Sequence, residues 1–216
     1  MYARMKIAVV APSCTMSRAA ADRLEALVAA RGDCEVAIHP QCFLSDGHFA
    51  GADDERLSAL REVMSDPSVD AVWFARGGYG SNRIADAAAA DLPSAAGSKL
   101  YLGYSDSGFL HAGFHKAGLE VAWGPMPQDL MREGGAAAVT RSLDWMVRRD
   151  ESALEPELQI CDPHHHLWDR GGLRYMIEEV AADIASGHNI VATVYVDCRS
   201  MYRAHGPEAF RPIGEV

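Results

Sequence analysis

The stretch DAVWFARGGYGSNRIADAAAA, Asp70 to Ala90, sets an apolar run directly ahead of Gly77, Gly78 and Gly80 and an alanine-rich segment opening on Ser81. An apolar run without polar alternation reads as a strand buried on both faces, and the serine behind the last glycine reads as a helix start. The unit recurs along the chain. KIAVVAPS (Lys6–Ser13) precedes SRAAADRLEALVAARG (Ser17–Gly32), in which Ser17 has the chemistry of an N-cap and Gly32 that of a helix stop. EVAIHP (Glu35–Pro40) precedes a helix over Asp53–Asp66, KLYLGYSD (Lys99–Asp106) precedes one over Ser107–Gly118, and EVAWGPM (Glu120–Met126) precedes one over Gly135–Asp150. Five strands alternating with helices predict an α/β fold over residues 1–154: a parallel sheet with helices on both faces, three layers of the Rossmann or flavodoxin-like kind.

Composition narrows the function classes. The chain has 216 residues, 49% hydrophobic and 23% charged, which suits one or two globular domains. Its net charge of −10 divides into −6 over residues 1–155 (15 basic, 21 acidic) and −4 over 156–216 (5 basic, 9 acidic). Neither part offers the basic face that a phosphate backbone requires, so nucleic acid is not an expected partner. The opening MYARMKIAVVAPS has one short apolar run and no cleavage-site pattern, and no stretch approaches the roughly 20 apolar residues of a membrane span. Five widely spaced cysteines without a CxxC pair point to reduced thiols and a cytoplasmic setting.

In a doubly wound sheet, function gathers where strands end and helices begin. Two strand ends stand out. In FARGGYGSNR the glycines let backbone N–H groups approach a ligand, and the helix start adds partial positive charge for an anion; a tight turn without a ligand explains the same residues. In YLGYSDSGFLH, Ser105 sits at a strand-to-helix turn, with Gly103 two residues before it and Gly108 three after. That approaches the G-x-S-x-G elbow without matching it, because Ser107 takes the place of the second glycine. An N-cap at Ser105 or Asp106 is the plain alternative.

In chain order, KIAVVAPS, FARGGYGSNRI, GYSDSGFLH and WGPM closely resemble the LD-carboxypeptidases, serine peptidases that trim murein tetrapeptides. The resemblance covers roughly residues 5–150. It implies that Ser105 is the nucleophile, attacking the amide that holds a terminal D-alanine. It further implies an oxyanion hole from the N–H groups of Gly78 and Asp106, with the Arg76–Gly80 loop, including Gly77 and Tyr79, near the substrate carboxylate. No cofactor is implied, and a homodimer is expected. The base, a histidine oriented by a glutamate, is implied to come from a separate C-terminal domain, whose pattern does not follow Leu154. His39, His48, His111 and His115 read as solvated, loop or core residues.

Residues 155–216 read differently. ELQICDPHHHLWDRGG runs as a strand into Asp162, His164 and His166, and strict alternation would set both of these histidines on one face, suited to zinc or another divalent ion. A helix over Tyr175–Ser186 and a strand over Ile190–Asp197 follow. The segment resembles the opening of a metal-dependent amidohydrolase, so it is expected to be an incomplete strand–helix–strand piece of a TIM barrel. Such barrels need about 250 residues and take ligands from several strands. Two partial sites of unrelated classes predict a junction near residue 155, from a deletion, a fusion or an assembly error. The primary expectation is a murein LD-carboxypeptidase acting through Ser105. Metal-dependent hydrolysis and a catalytically incomplete peptide-binding domain are the alternatives.

Overall fold

The computed structural model describes residues 4–154, 157–170, 172–187, 189–199 and 201–214, with the backbone alone at positions 163, 164, 170, 173 and 213. The chain divides into two compact units, Met1–Leu154 and Glu155–Val216.

In the first unit five strands, β1 (Met5–Val10), β2 (Cys34–Ile38), β3 (Ala71–Phe74), β4 (Leu100–Gly103) and β5 (Glu120–Trp123), alternate with five helices. These are α1 (Arg18–Arg31), α2 (Asp53–Ser65), α3 (Ser81–Ala90), α4 (Gly108–Lys116) and α5 (Gly135–Arg148). The strands pair in parallel in the order β2-β1-β3-β4-β5. This is the flavodoxin-like order, which reverses direction between β1 and β3 and leaves a crevice at the carboxyl ends of the strands.

Side-chain alternation builds the two outer layers. Ile7, Val9, Trp73 and Leu102 face one way and pack with Leu24 and Val28 of α1 and Val139, Leu143 and Met146 of α5. Ala8, Val10, Val72, Phe74 and Tyr101 face the other way, against Leu60 and Met64 of α2, Ile84 and Ala88 of α3, and Leu110 and Phe114 of α4. Burial on both faces accounts for the unbroken apolar runs of β1, β3 and β4. Each of these strands is shorter than the run that announced it. The last residues of each run leave the sheet to build the loops of the crevice.

Local capping sets the helix limits. Ser17 Oγ accepts from Ala20 N, and Gly32 closes α1 in the left-handed conformation at φ 71°. Ser17→Ala should lower stability by about 1 kcal/mol, read from the denaturant midpoint. Two cations lie fully inside the unit. Lys99 donates to the carbonyls of Asp66 and Val69 at 2.7 and 2.8 Å. Arg56 donates to the carbonyls of Gly51, Pro12 and Gly80 and to Asp53, fixing the loops after β1 and β3 to the start of α2.

The second unit contains β6 (Ile160–His165), β7 (Trp168–Arg170), β8 (Leu173–Tyr175), α6 (Ile177–Ile184) and β9 (Ile190–Tyr195). Strands β6 and β9 pair in parallel, and β7 and β8 form an antiparallel pair. Two two-stranded sheets do not define a barrel, so the TIM-barrel expectation has no support in the described residues. The expected alternation also fails: register shifts interrupt β6 between Ile160 and Cys161 and between Asp162 and His165, and His166 lies beyond the strand. Among the described residues no helix is long and apolar enough to cross a membrane.

Candidate active site

Gly103 ends β4 because a side chain there would collide with Ser107 Oγ and Phe74. Tyr104 stays extended, and the chain then turns through a short 3-10 segment, Ser105–Ser107, into α4. At the head of that turn Ser105 has a φ of +61°. A residue with a Cβ meets its own backbone in this left-handed region and holds it only where the surroundings fix it. Ser105 is exposed, while Asp106 and Ser107 behind it are buried. The turn is locked from inside by Ser107 Oγ, which donates to the Tyr104 carbonyl at 2.9 Å.

The glycine turn after β3 lies directly against this serine. A Cβ on Gly77 would stand 3.0 Å from Ser105 Cβ and 3.1 Å from its Oγ, so only glycine leaves the hydroxyl its space. Gly78 follows at φ +119°, and a Cβ there would overlap Cys14 Sγ in the loop after β1. Gly78→Ala therefore adds backbone strain to a collision, and should cost about 2 kcal/mol. A Cys14→Ala background should return the collision part and leave the strain, which paired denaturation curves would resolve. Arg76 and Tyr79, exposed on the same loop, flank this glycine pair; Arg76 Nη1 donates to the Thr15 carbonyl at 3.1 Å.

Asp106 differs from its reading as an N-cap. Its carboxylate does not cap its own helix: Oδ2 accepts from Ser81 N at 2.7 Å, at the start of α3, and from the Ser13 hydroxyl after β1. The α3 N-terminus, expected to hold an external anion, is thus filled by an internal carboxylate. Ser13 and Ser81 were not singled out in the sequence as site residues. The strand order signals Ser13, because it follows β1 at the point where the sheet reverses direction.

Four residues expected near the chemistry, Ser105, Gly77, Gly78 and Asp106, come together here. The base, implied to come from a separate domain, is not supplied by the histidines of this unit. Among the described residues Ser105 Oγ has no hydrogen-bond partner. His39 accepts from Gln41 N through Nδ1 and lies 3.3 Å from Glu62 through Nε2; His48 packs on Phe49 at 3.9 Å between centroids; His115 is exposed. His111 is buried beside Phe74 and Trp123, and burial pushes its pKa down to about 4.

His166 belongs to the second unit, where Nδ1 lies 2.6 Å from the Val196 carbonyl. The His164 side chain and all of His188 fall outside the described residues. Among the described residues no three His, Cys, Asp or Glu side chains are grouped to hold a metal ion, and no step is derived through one.

An exposed serine held left-handed at the end of β4, against a glycine turn from β3 on a flavodoxin-like sheet, is a strand–turn–helix elbow that presents its hydroxyl above the carboxyl ends of the strands. The chain belongs to the LD-carboxypeptidase N-terminal domain family, which matches residues 7–124. It is 39% identical over 127 residues to a Streptomyces coelicolor protein named as a carboxypeptidase, covering 56% of this chain and 40% of that one. A Pseudomonas aeruginosa murein tetrapeptide carboxypeptidase is 32% identical over 83 residues, 38% of this chain and 27% of the relative. Among solved structures, the muramoyltetrapeptide carboxypeptidase of Oxalobacter formigenes superposes with a TM-score of 0.56 at 27% identity, over 71% of this chain and 50% of that chain. A microcin self-immunity protein shares the fold, with a TM-score of 0.55 at 19% identity over 69% of this chain and 46% of its own. The chain thus spans half or less of the length of these proteins.

Proposed function

We propose that residues 1–154 are the nucleophile domain of a serine-type LD-carboxypeptidase that removes terminal D-alanine from murein tetrapeptides during cytoplasmic recycling. The observation that carries this reading is the exposed Ser105 held at φ +61° against Gly77. Ser105 Oγ would attack the carbonyl carbon of the terminal amide while a base takes its proton. The oxyanion would be met by N–H groups of Gly78 and Asp106, and Arg76 would face the substrate carboxylate. Collapse breaks the C–N bond and releases D-alanine with a proton from the same base, and water then frees the acyl-serine. The family resemblance assigns that base to a histidine and a glutamate of a C-terminal domain. The five free cysteines fit a reducing compartment.

In residues 155–216, β6 and β9 are parallel strands with the β7–β8 pair and α6 between them, a crossover that any α/β fold shares, and it favours no second activity. One assay separates the readings. D-alanine release from a murein tetrapeptide is measured for the chain alone, and with the C-terminal half of a full-length relative supplied as a second polypeptide, with and without chelator. Release that needs the second polypeptide and ignores chelator supports the peptidase. Loss with chelator supports the metal site at His164 and His166. No turnover in any arrangement sinks the peptidase reading and leaves a peptide-binding domain.

A further inference from the structure

We propose that the Asp106 carboxylate is a positioning residue that holds Ser105 in its left-handed conformation and against Gly77. Asp106 is 7% exposed, and the hydrogen bonds of its carboxylate reach other strand ends than its own. Oδ2 accepts from the Ser13 hydroxyl and from Ser81 N at 2.7 Å, and its backbone carbonyl accepts from the Ser81 hydroxyl. Ser13 and Ser81 are themselves fully buried. One residue therefore ties together the ends of β1, β3 and β4, the three strands that surround the crevice.

The tie acts on its neighbour. A serine at φ +61° is disfavoured and relaxes to negative φ unless the peptide on each side is fixed. On the C-terminal side of Ser105 that fixing falls to the bonds of Asp106 and to the turn closed by Ser107 on the Tyr104 carbonyl. The start of α3 adds a favourable field, since its partial positive charge meets the carboxylate inside the unit. Freed from Ser13 and Ser81, Asp106 would let the peptide between residues 105 and 106 rotate. The Ser105 hydroxyl would then leave Gly77, and the Asp106 N–H would lose its aim.

The conformational claim stands without any activity; its effect on turnover rests on the peptidase reading above. The test uses the full chain carrying Asp106→Ala, Asp106→Asn or Ser13→Ala. The three-bond HN–Hα coupling and carbon shifts of Ser105 in solution NMR report the sign of its φ. Asp106→Ala should lose the left-handed signature while the amide resonances of Val9, Val72 and Leu102 hold their positions. Asp106→Asn, whose amide oxygen still accepts both donors, should keep it. In the D-alanine assay with the second polypeptide, kcat for Asp106→Ala should fall about 100-fold with KM within about twofold, and Asp106→Asn should restore most of it.

If Asp106→Ala does not fold, Ser13→Ala removes a single donor and should show a partial loss of the same signature. An unchanged Ser105 signature in Asp106→Ala, or in Ser13→Ala where that variant carries the test, overturns the proposal. A kcat that holds while the signature is lost overturns the effect on turnover. Absence of turnover in the unaltered protein counts against the peptidase reading alone, and the coupling then decides the clamp.

Discussion

On the proposed function, Ser105→Ala should abolish D-alanine release in the assay with the second polypeptide, by roughly 10⁴-fold or more, because the covalent route loses its only reacting oxygen. Ser105→Gly should abolish it equally and leave the protein more stable by about 1 kcal/mol, since glycine adopts the left-handed region without a Cβ penalty. Alanine keeps that Cβ, so the stability difference between the two variants isolates the strain at φ +61°. The measurement pairs D-alanine release with urea unfolding midpoints. An activity that survives alanine removes Ser105 from the chemistry. A glycine variant no more stable than the alanine one means that the turn carries no strain. The pairing matters because a serine that merely started a helix would sit at negative φ and stabilise it; here the residue costs stability where it stands.

How far the sequence discloses this site depends on the range of the forces involved. Ser17 and Gly32 bracket α1 as their chemistry dictates, because caps and stops act within a few residues. The apolar runs of β1, β3 and β4 reveal a sheet covered on both faces for an equally local reason. The use of Asp106 is not local. Its partners Ser13 and Ser81 lie 93 and 25 residues away and reach it only once β1, β3 and β4 are side by side. The placing of Cys14 against Gly78 has the same origin. In the second unit the period-two reading of His164 and His166 assumed an unbroken ladder, and the register shifts in β6 remove that assumption. Residues whose role follows from a cap or a strand face are legible in one sequence. Residues whose role follows from which strand ends meet become legible only with the strand order.

The first unit should lose roughly 3 kcal/mol of stability between pH 6.5 and pH 4 through His111 alone. The ring is 6% exposed, packed 5.5 Å from Phe74 and 6.1 Å from Trp123 between centroids, and its Nε2 is buried without a hydrogen-bond partner among the described residues. Burial pushes its pKa from the ordinary 6.5 down to about 4. In that window the unfolded chain binds a proton that the folded chain refuses, so protonation favours unfolding as the pH falls. The contribution is complete above pH 6.5 and is lost progressively down to about 4. Asp53, whose carboxyl is held below its usual range mainly by a hydrogen bond from Arg83, gives way only at still lower pH, so the two effects separate. Urea unfolding at pH 7.5, 6, 5 and 4.5 gives the slope, and His111→Phe should flatten it while leaving the protein at least as stable at neutral pH. A slope unchanged by that substitution would show that His111 is not the group responsible.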